Sequence, residues 1–191
     1  MANTQVNPTR MELTKQKKKL VSAVKGHKLL KDKRDELMRQ FLDLARENME
    51  LRLNVEESIK KANTIFVVAK AGMNTETLTT ALMATKQKLE LNVDKKNIMS
   101  VDIPVYSVKS KTANPNDIYS YGFAFTTGDL DDAVTSLADI REDMVRLAQI
   151  EKSCQLLSSE IEKTRRRVNA LEHVIIPEAQ KKYKVYYYEI R

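Results

Sequence analysis

The sequence has no tryptophan, one cysteine, and only four glycines and four prolines in 191 residues. Glycine and proline together supply roughly 12% of an average chain. Their scarcity excludes an all-β sandwich or barrel and a disordered chain, which need many turns or breakers. A lone Cys154 cannot form an internal disulfide, which excludes a disulfide-stapled secreted scaffold and fits a reducing compartment. No apolar run approaches the roughly 18 residues needed to cross a bilayer, Ile65 to Ala69 being about the longest. The opening Met1-Ala-Asn-Thr-Gln-Val6 lacks the basic and apolar regions of a signal peptide, so a cytoplasmic location is expected. Aromatics make up 6% and charged residues 31%, a balance that suits a long solvated helix pair better than a compact enzyme.

Chemistry-bearing motifs are also missing. Four isolated glycines make no phosphate-binding loop, and no CxxC, HxxxH or HExxH is present, so neither a cofactor nor a metal is expected. His27 falls on a helical seam and His173 beside a helical stripe, with no nucleophile motif near either. Cys154 lies in an apolar column and reads as an inert thiol. Glu56-Glu57 and Asp131-Asp132 point in different helical directions and read as solvated charges.

What the sequence does have is long, uninterrupted helical pattern. No glycine or proline occurs over 27–71 or 129–176, stretches of 45 and 48 residues. In the first, Leu13, Leu20, His27, Arg34, Phe41, Asn48, Val55, Ala62 and Ala69 recur every seven residues. Gln16, Ala23, Leu30, Leu37, Leu44, Leu51, Ser58 and Ile65 form the second column of the same heptad register. The second stretch repeats Ile140, Leu147, Cys154, Ile161, Val168 and Ile175. Its flanking column changes side, from Leu137 and Met144 to Ile150, Leu157 and Leu171, as a seam of period nearer 3.6 would. Each stripe is the natural partner of the other. The expected fold is mainly α: a long antiparallel two-helix coiled coil with a short helix and a β-hairpin inserted between the helices. About 60 residues per helix give a rod of roughly 90 Å. Polar seam positions such as His27, Arg34, Asn48 and Ser58 weaken it and fix register or face a third protein.

The expected domains are 1–72, the first long helix; 73–128, the short helix and hairpin; and 129–191, the second long helix, kinked near Pro177. Asn74 is placed to cap a helix over Thr75 to about Leu91. After it, Met99, Val101, Ile103 and Val105 alternate with polar residues, as do Tyr119, Tyr121, Phe123 and Phe125. With turn-like residues 109–117 between them, these two runs read as the strands of the hairpin.

Net charge is +7, and its excess lies near one end. Between Arg10 and Arg34 there are ten Lys or Arg against Glu12 and Asp32, including Lys15, Lys17, Lys18 and Lys19. Such a run is a solvated face, an electrostatic contact with protein, or a site for nucleic acid or anionic lipid. Lysine dominates it and no aromatic interleaves, unlike most nucleic-acid surfaces. Arg165, Arg166 and Arg167 fan around a helix, which suits a partner surrounding the rod or a solvated bulge of charge. Tyr186 to Tyr188 fit a bearing surface or disorder equally.

The stretch Asn7-Pro-Thr-Arg-Met-Glu-Leu-Thr-Lys-Gln-Lys-Lys-Lys-Leu20, followed by Gly26-His-Lys-Leu-Leu-Lys-Asp-Lys-Arg-Asp-Glu-Leu-Met38, resembles the N-terminal helix of the D-subunit family of V-type rotary ATPases. Glu162-Lys-Thr-Arg-Arg-Arg-Val-Asn-Ala-Leu-Glu-His-Val-Ile-Ile-Pro177 is similar to that family's C-terminal helix, and Lys96-Asn-Ile-Met-Ser-Val101 to its middle. The resemblance implies a non-catalytic rotor shaft that couples ATP turnover to ion transport, with ATP bound by other subunits. It implies that both termini lie within a hexamer of A and B subunits, met by Lys15, Lys17, Lys18, Lys19, Arg165, Arg166 and Arg167. It implies that the hairpin region, with Val101, Ile103, Val105, Tyr119, Tyr121 and Phe123, faces the F subunit and the C (or d) subunit that joins the membrane ring. It implies a cytoplasmic protein peripheral to the membrane, with no nucleic-acid partner. Family members usually continue past the point matching Tyr188-Glu-Ile-Arg191. The rival reading from another class is a basic coiled-coil adaptor for nucleic acid or an anionic membrane surface.

Overall fold

A computed structural model describes residues 9–112, 114–122 and 126–190. Its elements run α1 (Arg10–Gly72), α2 (Thr75–Met83), β1 (Leu89–Ile98), β2 (Val101–Ser110), a short 3₁₀ turn (Pro115–Ile118), α3 (Gly128–Ala170), a π-helical segment (Leu171–Ile175) and α4 (Ile176–Ile190). Two compact units emerge. Unit 1 joins the first part of α1, to Phe41, with the chain from Leu157 onward; unit 2 is Leu42–Leu156.

Local chemistry sets the helix ends. Thr9 caps α1: its Oγ1 accepts the Glu12 N–H at 3.3 Å and its carbonyl accepts the Leu13 N–H at 3.1 Å. Asn74 caps α2 as its side chain predicts, accepting the Glu76 N–H at 3.5 Å. The helix it starts is shorter than expected and ends at Met83 instead of near Leu91. The residues from Leu89 on alternate Leu89, Leu91, Val93 and belong to a strand.

In both units the two long helical stretches run antiparallel. In unit 1, Lys33 lies 3.5 Å from Glu160 and His27 lies 3.4 Å from Glu172. In unit 2, Val55 and Ala62 cluster with Ile140, while Ala69 clusters with Leu130. Every described position in the two heptad columns of α1 is buried or half-buried. Along α3, Ile150, Ser153, Leu157, Ile161, Thr164 and Val168 are buried. Their spacing averages about 3.6 residues, the period of a straight helix, which is why the seam drifts off a strict heptad column. Fully buried Leu37, Leu130 and Leu157 each contribute about 1.5–3 kcal/mol of transfer energy.

Pro177 has no N–H to return to the preceding turn and would crowd the carbonyl four residues back. Helical backbone nevertheless continues through it to Ile190. The widened segment Leu171–Ile175, in which the Ile176 N–H donates to the Leu171 carbonyl five residues back, takes up the mismatch.

The hairpin differs most from its sequence reading. Its strands are Leu89–Ile98 and Val101–Ser110, paired antiparallel from Ile98↔Val101 to Leu89↔Ser110. Met99 and Ser100 form the two-residue turn, with φ of 49° and 70°, and Met99 is therefore no strand residue. Two positive φ values mark a type I′ turn, whose twist matches the paired strands. Asn97 holds it by accepting the Ser100 N–H at 3.1 Å and donating to Asp102 at 2.6 Å. Tyr119 and Tyr121 do not pair with Val101–Val105. They follow the 3₁₀ turn and tie the connection to α3: Tyr121 OH donates to Asp131 at 2.7 Å, and Tyr119 OH lies 3.0 Å from the Thr135 hydroxyl. Phe123 and Phe125 fall outside the described residues.

Candidate partner-binding surfaces

Two surfaces carry the sequence-derived candidates, and a third stands out from exposure alone. The first is cationic and lies on unit 1. Lys15, Lys17, Lys18 and Lys19 are all exposed. Lys15 pairs with Glu12 at 3.3 Å, whereas Lys17, Lys18 and Lys19 make no ion pair among the described residues. Arg165, Arg166 and Arg167 are exposed too. Arg166 pairs with Glu162 one turn back, while Arg165 and Arg167 have no acidic neighbour within 4 Å among the described residues.

These two groups do not form one patch. The contacts His27–Glu172 and Lys33–Glu160 bracket Arg165–Arg167. The triplet therefore sits level with α1 around Lys28 and Lys31, which are exposed and unpaired among the described residues. Lys15 to Lys19 lie roughly two to three turns before His27 along α1. Cations stand exposed at both levels of unit 1, and few of them are spent on internal carboxylates.

The second surface is the hairpin of unit 2. Val101 and Ile103, expected to meet a partner, are only 8% exposed and already packed within the chain. Val105 is half-buried. The apolar residues that the hairpin does present are Leu89, Leu91 and Val93, at 46%, 51% and 56% exposure. They line one face of β1 and stand opposite Ser110, Val108 and Tyr106. The alternation Leu89-x-Leu91-x-Val93 was the available signal; the helix expected to run on to about Leu91 overlapped its first half. Counted from the turn-closing pair Ile98↔Val101, Pro104 opposite Lys95 is a non-hydrogen-bonded position, so its missing N–H costs no ladder bond. Tyr106 belongs to the same outward set, and its N–H donates to Gln149 of α3 at 2.8 Å.

The third surface runs along α1 of unit 2, where Leu42, Met49 and Leu53 are 48%, 68% and 58% exposed. They lie off the heptad columns, on a face that the inward stripe does not use. Contiguous exposed apolar surface marks interaction sites, and Met49 and Leu53 are neighbours one helical turn apart.

Two titratable groups of unit 2 are held in their protonated forms. Cys154 is half-buried in unit 2, where burial first, then Glu151 and Glu47, push its thiol above the usual range. Burial, then the bond to Asp131, keeps the Tyr121 hydroxyl protonated well into alkaline conditions. Among the described residues, no three His, Cys, Asp or Glu side chains gather as metal ligands would. Tyr186 is buried, so part of the aromatic tail is packing; Tyr188 is largely exposed.

Residues 12–185 match the family described as the ATP synthase D subunit. The chain is 57% identical over 178 residues to the V-type ATP synthase D subunit of Acetivibrio thermocellus, an alignment covering 93% of this chain and 80% of that protein. It is 54% identical over 177 residues to the protein of the same name from Clostridioides difficile, covering 93% and 79%. The corresponding protein of Clostridium novyi is 52% identical over 181 residues, covering 94% and 84%.

Proposed function

The chain belongs to the ATP synthase D-subunit family, and on that premise we propose how this non-catalytic central-stalk subunit of a V-type ATP synthase is seated among its partners. Unit 1 faces the hexamer of A and B subunits. Unit 2 faces the F subunit and the C (or d) subunit that connects to the membrane ring. The observation that carries this seating is the unspent positive charge of unit 1. Lys17, Lys18, Lys19, Arg165 and Arg167 are exposed without an internal counter-charge among the described residues.

Exposed cations at two levels suit a partner that encloses the helix pair and offers carboxylates or carbonyl oxygens. Such contacts are individually weak when solvated and stronger when water is excluded. Each nucleotide state of the surrounding subunits then favours one orientation of the stalk. Rotation follows from differences in contact energy between orientations, with no bond made or broken by this chain. The adaptor reading does not survive family membership. No helix among the described residues is long and apolar enough to cross a membrane. In this seating the chain is held at the cytoplasmic side of the membrane through its complex.

Affinity-tagged chain recovered from native extract tests the seating. The expected result is one copy for every six A and B subunits, with F and C (or d) present. Recovery free of A and B would reject it. In a partial reconstitution, loss of Lys17, Lys18 and Lys19 charge should weaken capture of A and B while F is retained.

A further inference from the structure

Unit 2 contains a groove of about 490 Å³ between the end of α2, the connection at Ile118–Tyr121 and the stretch Val134–Val145 of α3. Its walls include Leu82, Ile118, Val134, Leu137, Met144 and Val145. Leu137 and Met144 are close to half exposed, at 46% and 48%, so the groove lies open to the outside.

The polar groups at this groove are unequal. Ser120 Oγ is spent on the Ala81 carbonyl at 2.9 Å, and Tyr121 OH on Asp131 at 2.7 Å. Arg141 is not satisfied in the same way. Its Nη1 reaches Gln87 only at 3.4 Å, and its Nε is buried with no acceptor. No carboxylate lies within 4 Å of it among the described residues. Lys86 adds a second exposed cation at the rim, also without an ion pair among the described residues. The described lining residues include no Asp or Glu.

A half-buried guanidinium without a counter-charge has lost part of its hydration and gained no anion in return. Its planar fork is suited to a carboxylate, which it can hold with paired hydrogen bonds. The aliphatic walls on either side suit apolar neighbours of that carboxylate. We propose that this groove docks an extended segment of a partner protein in which an acidic side chain, set between aliphatic ones, pairs with Arg141. Charge complementarity selects the acid, and the open apolar walls select a passing chain. The inference rests on the assignment of unit 2 to the F and membrane-side partners and narrows it to one groove and one chemistry.

A positional-scanning library of immobilised hexapeptides, probed with labelled full-length chain at low salt, tests it. The expected result is selection of Asp or Glu at one position with Leu, Ile or Val beside it. The best peptide should weaken about tenfold or more on Arg141→Gln, and equally when its acid becomes the amide. Arg141→Lys should retain part of the binding. Leu137→Asp, at a half-exposed wall position, should abolish it with an unchanged helical circular dichroism signal. Absence of acid selection, or selection that survives Arg141→Gln, overturns the proposal. So does binding of sodium decanoate, abolished by Arg141→Gln, with no peptide selected, which assigns the groove to a fatty acid. A failed selection alongside normal co-purification with A, B and F sinks the groove and leaves the stalk seating intact. A successful selection with no co-purification does the reverse.

Discussion

Gln149 on α3 accepts the backbone N–H of Tyr106 at 2.8 Å, closing a gap of 43 residues in sequence. A two-stranded hairpin is marginal in water by itself. The outward N–H groups of its strands need partners when they are covered. The Gln149 side chain supplies one at the middle of β2, and the buried Val101 and Ile103 supply apolar contact nearer the turn.

Replacing Gln149 with alanine should therefore loosen the hairpin more than the helices. The half-buried Tyr106 N–H would lose its acceptor, at a cost of about 1–2 kcal/mol. Native-state hydrogen exchange should show faster exchange across β2, with α1 amides of unit 1 little changed. Equal acceleration in both places would mean that Gln149 supports the whole chain.

The turn offers the opposite change. Met99 and Ser100 both hold positive φ, where side chains other than Asn and Gly are strained. Met99→Asn with Ser100→Gly supplies the residues that a type I′ turn favours. It should stabilise the hairpin by about 1 kcal/mol, seen as slower exchange of the strand amides and an unchanged α-helical signal. Asn97, which already holds the turn through Ser100 and Asp102, should keep its bonds in the variant.

This turn also explains where sequence reading stopped. The helices were legible because a period near 3.5 persists over dozens of residues, and each of Leu13, Leu37, Val55 and Ala69 falls on the inward face. That a hairpin lies between them was legible too, but its turn was not, because Met99-Ser100 carries no glycine, proline or asparagine to announce one. The turn-like 109–117 stretch and the alternating tyrosines after it supplied a false second strand. Tyr119 and Tyr121 alternate because each places its hydroxyl against α3, at Thr135 and Asp131, and two tertiary hydrogen bonds have no short-range signature. Of the candidate contact residues, the exposed cations follow directly from composition and helical geometry. The period-two pattern marks Val101 and Ile103 as one apolar face, but whether this chain or a partner covers that face depends on packing between segments. The level match of Arg165–Arg167 with Lys28 and Lys31 needed the antiparallel register.

Within unit 1, Thr164 is 1% exposed and its hydroxyl has no hydrogen-bond partner. A buried, unpaired hydroxyl costs free energy that a methyl group of the same shape does not. Thr164→Val should raise stability by about 1 kcal/mol, measured as a higher urea midpoint with unchanged slope. In the same unit the buried His27 Nε2 also has no hydrogen-bond partner, so this seam position too holds the helix pair below its attainable stability. A gain at Thr164 should therefore persist in a variant that also carries His27→Leu, the two effects adding if the sites are independent.

The exposed arginines separate stability from coupling. Arg166 has Glu162 beside it, but Arg165 and Arg167 have no such partner among the described residues. An exposed i,i+4 pair contributes only a few tenths of a kcal/mol. Changing all three to glutamine should leave the urea midpoint nearly unchanged, because no buried contact is touched and glutamine keeps a good helix propensity. What it removes is three positive charges level with Lys28 and Lys31. If these charges bias the orientation of the stalk within the hexamer, reconstituted complex should still hydrolyse ATP but drive less ion transport per ATP consumed. The loss should deepen when Lys28 and Lys31 are neutralised as well, and deepen less for Lys15, whose charge is already paired with Glu12. Unchanged ion transport per ATP in the triple variant would place the work of the stalk in shape alone and remove Arg165–Arg167 from its contact surface.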